Sequence, residues 1–361
     1  MSSAAAHGEP VIEAIASARP GHDIHRAFID WAGPRIADQR QRRLFQRMVE
    51  RSGIDHRWSV LPATDNGGSP VASGGFYDHQ PLPPTSARMA AYGEYAPRLA
   101  LEAIAKLACD PARITHVVVA SCTGFTAPGI DQVIARAMRL SPLVERTMIG
   151  FMGCYAGVTA LRTARHIARS QADAVVLVVS VELSTLHLQD HLEIEPLLAM
   201  LQFSDGAAAA IVSNQAKSGV GQVAVATGLS LTLPQSDELI HWDIGETGFA
   251  MHLSGAVPHR IEEALHSADT QAALFPDGIP SNLAIHGGGR SILDAVERAL
   301  SLDAAALAPS RAVLRDYGNM SSATVLFVIE SLVRSGAQGP GLALAFGPGL
   351  AAEAVALDFG I

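Results

Sequence analysis

Apolar residues at Val158, Leu161, Ala164, Ile167 and Ala168 recur at helical spacing and predict a helix from Ala156 to Ser170. Unbroken apolar runs point to strands instead. Ala174–Ser180 reads Ala-Val-Val-Leu-Val-Val-Ser, the pattern of a strand buried on both faces, and Ala207–Val212 is another. In the first half the pattern also predicts a helix near Arg88–Cys109, a strand at His116–Ala120 and a helix near Gly129–Leu140. The second half repeats the alternation. It reads as a strand near Val223–Leu229, a helix near Arg260–Ala268 and a strand at Asn282–Ile285. Helices at Ile292–Leu300 and Ala323–Ser335 and a strand at Leu342–Phe346 complete it. Alternating strands and helices, with the strands this apolar, mean sheets covered by helices. Leu61–Pro84, rich in Gly and Pro, is the longest irregular stretch, and the chain divides into halves at 1–215 and 216–361.

Composition narrows the function classes. A chain of 361 residues, 48% hydrophobic and 17% charged, has material for an ample core. The net charge of −9 argues against a general nucleic-acid binder. No uncharged apolar run approaches the roughly 18 residues of a membrane span. Met1–Pro10 lacks the basic start and apolar run of a secretory signal. Cys109, Cys122 and Cys154 form no disulfide framework, so a reducing cytoplasm is the expected location. Positive charge comes almost wholly from arginine. Arg40, Arg43, Arg47 and Arg51 fall three and four apart and would share one helix face. Such a face is either simply solvated or suited to a phosphate-rich ligand, which arginine grips by bidentate hydrogen bonds.

Three residues carry candidate chemistry. Cys154 stands in Gly-Cys-Tyr-Ala-Gly on the turn entering the first helix. Unpaired backbone N–H groups and the helix dipole there favour thiolate, the nucleophilic form. Most free cysteines are inert core residues, so the position matters more than the residue type. His286, in His-Gly-Gly-Gly, ends a predicted strand, where α/β folds bind ligands. Asn319, in Gly-Asn-Met-Ser-Ser, precedes a helix, a position that also suits an ordinary N-cap. His187 and His191, near Glu193 and Glu195, lack a metal-binding arrangement, so no metal is expected. A Cys…His…Asn order occurs in cysteine proteases and equally in enzymes that condense acyl thioesters. The papain-type surround of the cysteine is absent.

The surrounding residues resemble the type III polyketide synthases, the chalcone-synthase-like branch of the thiolase superfamily. Gly153–Gly157 is similar to the family's nucleophile turn, and Phe203-Ser204-Asp205-Gly206 to its gatekeeper segment. His286-Gly287-Gly288-Gly289 resembles its His-Pro-Gly-Gly segment, with Gly287 in place of proline. Gly318–Ala323 resembles its asparagine loop, and Gly347-Pro348-Gly349 its C-terminal loop. The resemblance implies a five-layered α-β-α-β-α sandwich of two related halves, working as a homodimer. It implies Cys154 as acyl-bearing nucleophile, His286 as the group that keeps it thiolate, and His286 with Asn319 as donors to the thioester oxygen. Phe203 would be the gate. Arg47 and Arg51, Arg43 in place of a basic residue where Leu44 stands, and Ser321 would contact CoA. The substrates would be acyl-CoA and malonyl-CoA, with no metal or redox cofactor.

Departures lie in the expected cavity. Ala127 stands where the family carries a methionine reaching into the partner subunit, and His187 replaces a small hydroxyl residue. Trp242 and Met251 stand at positions that are glycine and phenylalanine in plant chalcone synthases. The Cys122-Thr123-Gly124-Phe125 segment resembles bacterial synthases of alkylpyrones and alkylresorcinols. The small Ala127 points to a fatty acyl starter, with Trp242 and Met251 acting against it. The rival expectation is a ketoacyl synthase III-like enzyme served by an acyl carrier protein. Such enzymes share the Cys-His-Asn set but carry a His-Gln-Ala-Asn segment where this chain has His-Gly-Gly-Gly.

Overall fold

The computed structural model describes residues 9–190, 193–215 and 221–361. Among these residues nine strands form one mixed sheet. From one edge they run Asn282–Ile285, Gly339–Gly347, Ala351–Phe359, Val223–Thr232 and Val11–Ala18, then Asp205–Ser213, Val175–Leu183, His116–Ser121 and Glu145–Gly150. The join between the halves is short: among the described residues Val11 and Ile12 pair with Ala224 and Val223, and the Val225 N–H donates to the Pro10 carbonyl at 2.7 Å. Parallel pairs lie toward both edges, Asn282–Ile285 beside Gly339–Gly347, and His116–Ser121 between its two neighbours.

Three apolar clusters show how the layers stack. The helix Thr85–Ile104 covers the outer face of the first half-sheet, with Leu99 and Ala103 against Val117 and Val179. Helices Val257–His266 and Arg290–Ala299 cover the outer face of the second, with Ile261 and Val296 against Leu342 and Leu344. Between the half-sheets lie two helices, Ala156–Ser170 and Thr324–Arg334. The first touches Val175–Leu183 in one half-sheet and Ala351–Phe359 in the other; the second touches Val11–Ala18 and Gly339–Gly347. The result is the five-layered thiolase-like sandwich.

The elements agree with the sequence periodicity where burial is two-sided. Ala156–Ser170 and Asn282–Ile285 have the expected bounds. Val175–Leu183 and Asp205–Ser213, buried at every position, extend beyond the predicted runs. Among the described residues no helix is long and apolar enough to cross a membrane.

Candidate active site

The two central helices begin at the same place. Cys154 lies in the helical turn Gly153–Tyr155 that leads into Ala156–Ser170, and Asn319–Ser322 lead into Thr324–Arg334. Both N-terminal ends therefore bring positive dipole ends and free N–H groups to one spot, which favours negative charge there. Two glycines permit the approach. Gly153 has φ of +75°, and a Cβ on it would lie 2.5 Å from Pro348 Cδ. A Cβ on Gly157 would lie 2.2 Å from the Ser322 carbonyl oxygen.

Cys154, His286, Asn319, Ser321 and Phe203 line one cavity of about 440 Å³. His286 follows the strand Asn282–Ile285 and hangs from Leu344, whose carbonyl accepts its N–H at 2.8 Å. Asn319 is clamped on both sides: its Oδ1 accepts the Ser321 N–H at 2.8 Å, and its Nδ2 donates to the Gly288 carbonyl at 3.1 Å. Its backbone pairs with that of the Phe203 segment, since Asn319 N donates to Gln202 O and Ser204 N to Asn319 O. Arg57, fully buried, supports this pairing from behind by donating Nη1 to the carbonyls of Met200 and Phe203.

Burial sets the resting protonation. It pushes the Cys154 thiol up to about 11, against hydrogen bonds from Ser321 and Asn319 that pull it down. It holds His286 down to about 4, and neither ring nitrogen has a hydrogen-bond partner among the described residues. Burial thus works against the His286-supported thiolate expected from the sequence, while the hydrogen bonds of Ser321 and Asn319 favour it. Cys154 and His286 face one cavity, where burial disfavours charge on each. Beneath the cavity, Glu182 is also raised by burial. It accepts hydrogen bonds from Ser322 Oγ, Thr123 Oγ1 and the Cys122 N–H.

Other expected residues divide into those at the cavity and those away from it. Arg43, Arg47 and Arg51 are exposed on the helix Gln39–Arg51, whose Leu44 and Met48 line the cavity mouth. Ser321, expected among the CoA contacts, lines the cavity between Cys154 and Cys122. Its hydroxyl is 3.6 Å from Cys154 Sγ and 3.3 Å from Cys122 Sγ. Ala127 is exposed and lines neither cavity of this chain, so it does not widen this protomer's own pocket.

Sequence reasoning missed a second, mostly apolar chamber of about 120 Å³, walled by Phe28, Val71, Leu188 and Met200. Cys122, Ala199, Phe203, Trp242, Met251 and Ser321 belong to both cavities and form the neck between them. Trp242 and Met251 sit opposite each other in the hairpin Ile240–Gly245/Gly248–Leu253. His187 also lines the second chamber, with both ring nitrogens engaged: Nε2 donates to Thr123 O at 2.7 Å and Nδ1 accepts the Phe249 N–H at 3.1 Å. It is thus a neutral clamp, stacked on Phe249 at 4.1 Å. His191 lies outside the described residues.

Comparison with known proteins agrees with this geometry. Residues 2–216 match the N-terminal domain of chalcone and stilbene synthases, and residues 224–359 match their C-terminal domain. One similar solved structure is the C-terminal type III polyketide synthase domain of Steely1, a type I/III hybrid from Dictyostelium. It is 26% identical, with a TM-score of 0.86 over 98% of this chain and 100% of that one. Another is PKS-I from the brown alga Ectocarpus siliculosus, 27% identical, with a TM-score of 0.87 over 98% of each chain. With matches covering both halves, this chain belongs to the chalcone and stilbene synthase family of type III polyketide synthases.

Proposed function

We propose that the protein condenses malonyl-CoA iteratively onto a fatty acyl-CoA starter and releases a pyrone or a resorcinol-type product. Condensation of CoA thioesters is the chemistry of the family. The observation that carries the finer reading is the mostly apolar chamber beyond the Phe203–Trp242–Met251 neck, continuous with the cavity that holds Cys154. It offers an alkyl chain a place to lie while its thioester stays at the nucleophile. The starter reading thus moves from Ala127 to this chamber.

The steps follow from the protonation pattern. Cys154 sulfur attacks the starter carbonyl as its proton passes to the unpartnered nitrogen of His286, and CoA leaves as thiol. The carbonyl oxygen gains negative charge against the His286 N–H and the Asn319 amide, and one such donor is worth roughly 3–4 kcal/mol of barrier. Malonyl-CoA then loses carbon dioxide, leaving an enolate held by the same donors. That enolate attacks the Cys154 thioester, the new carbon–carbon bond forms, and the Cys154 sulfur is expelled. The lengthened chain is now on CoA and reloads for the next round. Arg43, Arg47 and Arg51, at the rim beside Leu44 and Met48, would hold the CoA phosphates. We also propose a homodimer. Glu145–Met148 of the edge strand are exposed, and so are Phe125 and Phe151, a combination of open strand edge and apolar surface that pairing would cover.

Purified enzyme, malonyl-CoA and acyl-CoA starters of graded length, with products read by mass spectrometry, test the reading; Cys154→Ala is the control and should form no acyl adduct. Cyclic polyketides from medium- or long-chain starters are expected. Condensation with malonyl carrier protein but not malonyl-CoA would replace this reading with the ketoacyl synthase III-like one.

A further inference from the structure

The condensation proposed above gives Cys122 no role, yet it stands beside the nucleophile. It follows the strand His116–Ser121 and is held there by its backbone N–H, which donates to Glu182 at 3.0 Å. One hydroxyl, Ser321 Oγ, lies within reach of both thiols, 3.3 Å from Cys122 and 3.6 Å from Cys154. Ser321 holds a φ of +47°, which an L side chain rarely adopts, and its N–H is fixed by Asn319. Two of the chain's three cysteines, from separate elements, thus meet across a single side chain in the wall of an open cavity. We propose that Cys122 is the resolving thiol of Cys154, and that the pair closes to a reversible disulfide when the empty enzyme meets hydrogen peroxide.

The chemistry balances with peroxide as the only oxidant. The Cys154 thiolate attacks one peroxide oxygen, the O–O bond breaks, and the departing hydroxide takes up the thiol's proton to become water. Cys154 is now a sulfenic acid. Cys122 sulfur attacks it, the S–S bond forms, the S–O bond breaks, and the hydroxyl leaves with the Cys122 proton as a second water. Two thiols lose two electrons and peroxide gains them. Closure asks for rotamer changes at both cysteines and for the Ser321 hydroxyl to swing aside. Burial pushes both thiols up, so the reaction accelerates with rising pH as the thiolate fraction grows. The disulfide would block acyl loading and shield the nucleophile from irreversible oxidation.

This inference needs Cys154 to be reachable but does not depend on which starter the enzyme takes. The test is to treat the whole protein with hydrogen peroxide in the absence of acyl-CoA, then measure intact mass, map peptides and assay acyl loading. The wild type should lose about 2 Da, yield a Cys122–Cys154 cross-linked peptide, and recover loading on reduction with dithiothreitol. Cys122→Ala should instead gain about 32 Da as sulfinic acid and stay inactive after reduction. Cys122→Ser serves as the second variant should the alanine protein not fold, with the same expectation. Cys109→Ser should behave as wild type. A cross-link through Cys109, oxygen gain in the wild type at the rate of the variants, or reversible inactivation without Cys122 would each overturn the proposal. So would a wild type that stays a dithiol under peroxide that oxidises the variants.

Discussion

Gly157→Ala should damage catalysis far more than stability. The added Cβ would lie 2.2 Å from the Ser322 carbonyl oxygen and 3.2 Å from Val325 Cγ1, both on the segment that opens the second central helix. Ordinary contact requires the two helix ends to part by roughly 1 Å. Overpacking of this kind typically costs about 1–3 kcal/mol. Alanine recovers about 1 kcal/mol through its better helix propensity, so a net loss of at most about 2 kcal/mol is expected. The rate should suffer more, because the separation moves Cys154 away from Asn319 and Ser321, which precede the displaced helix. A misplacement near 1 Å in the reacting geometry costs on the order of a hundredfold in rate. Denaturant midpoints and single-turnover condensation rates measure the two effects, with Gly33→Ala as control. Gly33 sits in the helix His25–Arg35 with nothing within 4 Å of an added Cβ, so that variant should be neutral or slightly stabilised. A Gly157→Ala enzyme with full turnover, or one whose rate loss merely tracks its unfolded fraction, would refute the reasoning.

Arg47→Ala and Arg51→Ala should raise KM for CoA thioesters more than for pantetheine thioesters, which lack the 3′-phosphate; equal losses on both would assign these arginines to folding or assembly. Ala199→Phe should plug the neck and shorten the preferred starter. Since each buried methylene is worth about 0.8 kcal/mol, the roughly fourfold gain in kcat/KM per added carbon should disappear beyond the neck. Stability should fall on acidification from about pH 6.5 toward 4. His25, His187 and His286 are each held down to about 4, so over that range the unfolded chain binds more protons than the folded one. Asp205, raised by burial to about 7, works in the opposite direction, gaining stability as pH falls through its folded value. Asp205→Asn should therefore steepen the acid loss seen in denaturant midpoints at pH 7, 6 and 5.

Two-sided burial made the sandwich readable. Ala174–Ser180 and Asn282–Ile285 are apolar because both faces are covered, and the Val158–Ala168 periodicity follows from a helix pressed between sheets. The edge strand Glu145–Gly150 has polar, exposed residues and carries no such pattern. Val11–Ala18 mixes alanine, serine and glutamate, so its apolar positions fit neither template well, although it joins the two halves. At the site, Cys154, His286 and Asn319 were legible from glycine-rich segments next to predicted elements. The neck was not. Trp242 and Met251 come together through hairpin register, and Ser321 reaches the two sulfurs through a positive φ that no residue type announces. Cys122 did leave a signal, a nucleophilic side chain at the carboxyl end of a buried strand.

Burial and the polar groups around Cys154 act in opposite directions on its charge. Cys154 and His286 are shifted in the directions that keep each neutral, and burial is the leading cause for both. Meanwhile the polar groups that would stabilise an anion are already fixed. Asn319 is clamped at Oδ1 and Nδ2, neither imidazole nitrogen has a partner among the described residues, and two helices begin beside Cys154. In the proposed reaction the proton taken from Cys154 turns His286 into a donor at both nitrogens as the thioester oxygen becomes negative. An enzyme holding a permanent thiolate–imidazolium pair would spend those donors on the sulfur before substrate arrived. In the proposed reaction they remain for the oxyanion and the enolate, on which negative charge develops during the chemistry.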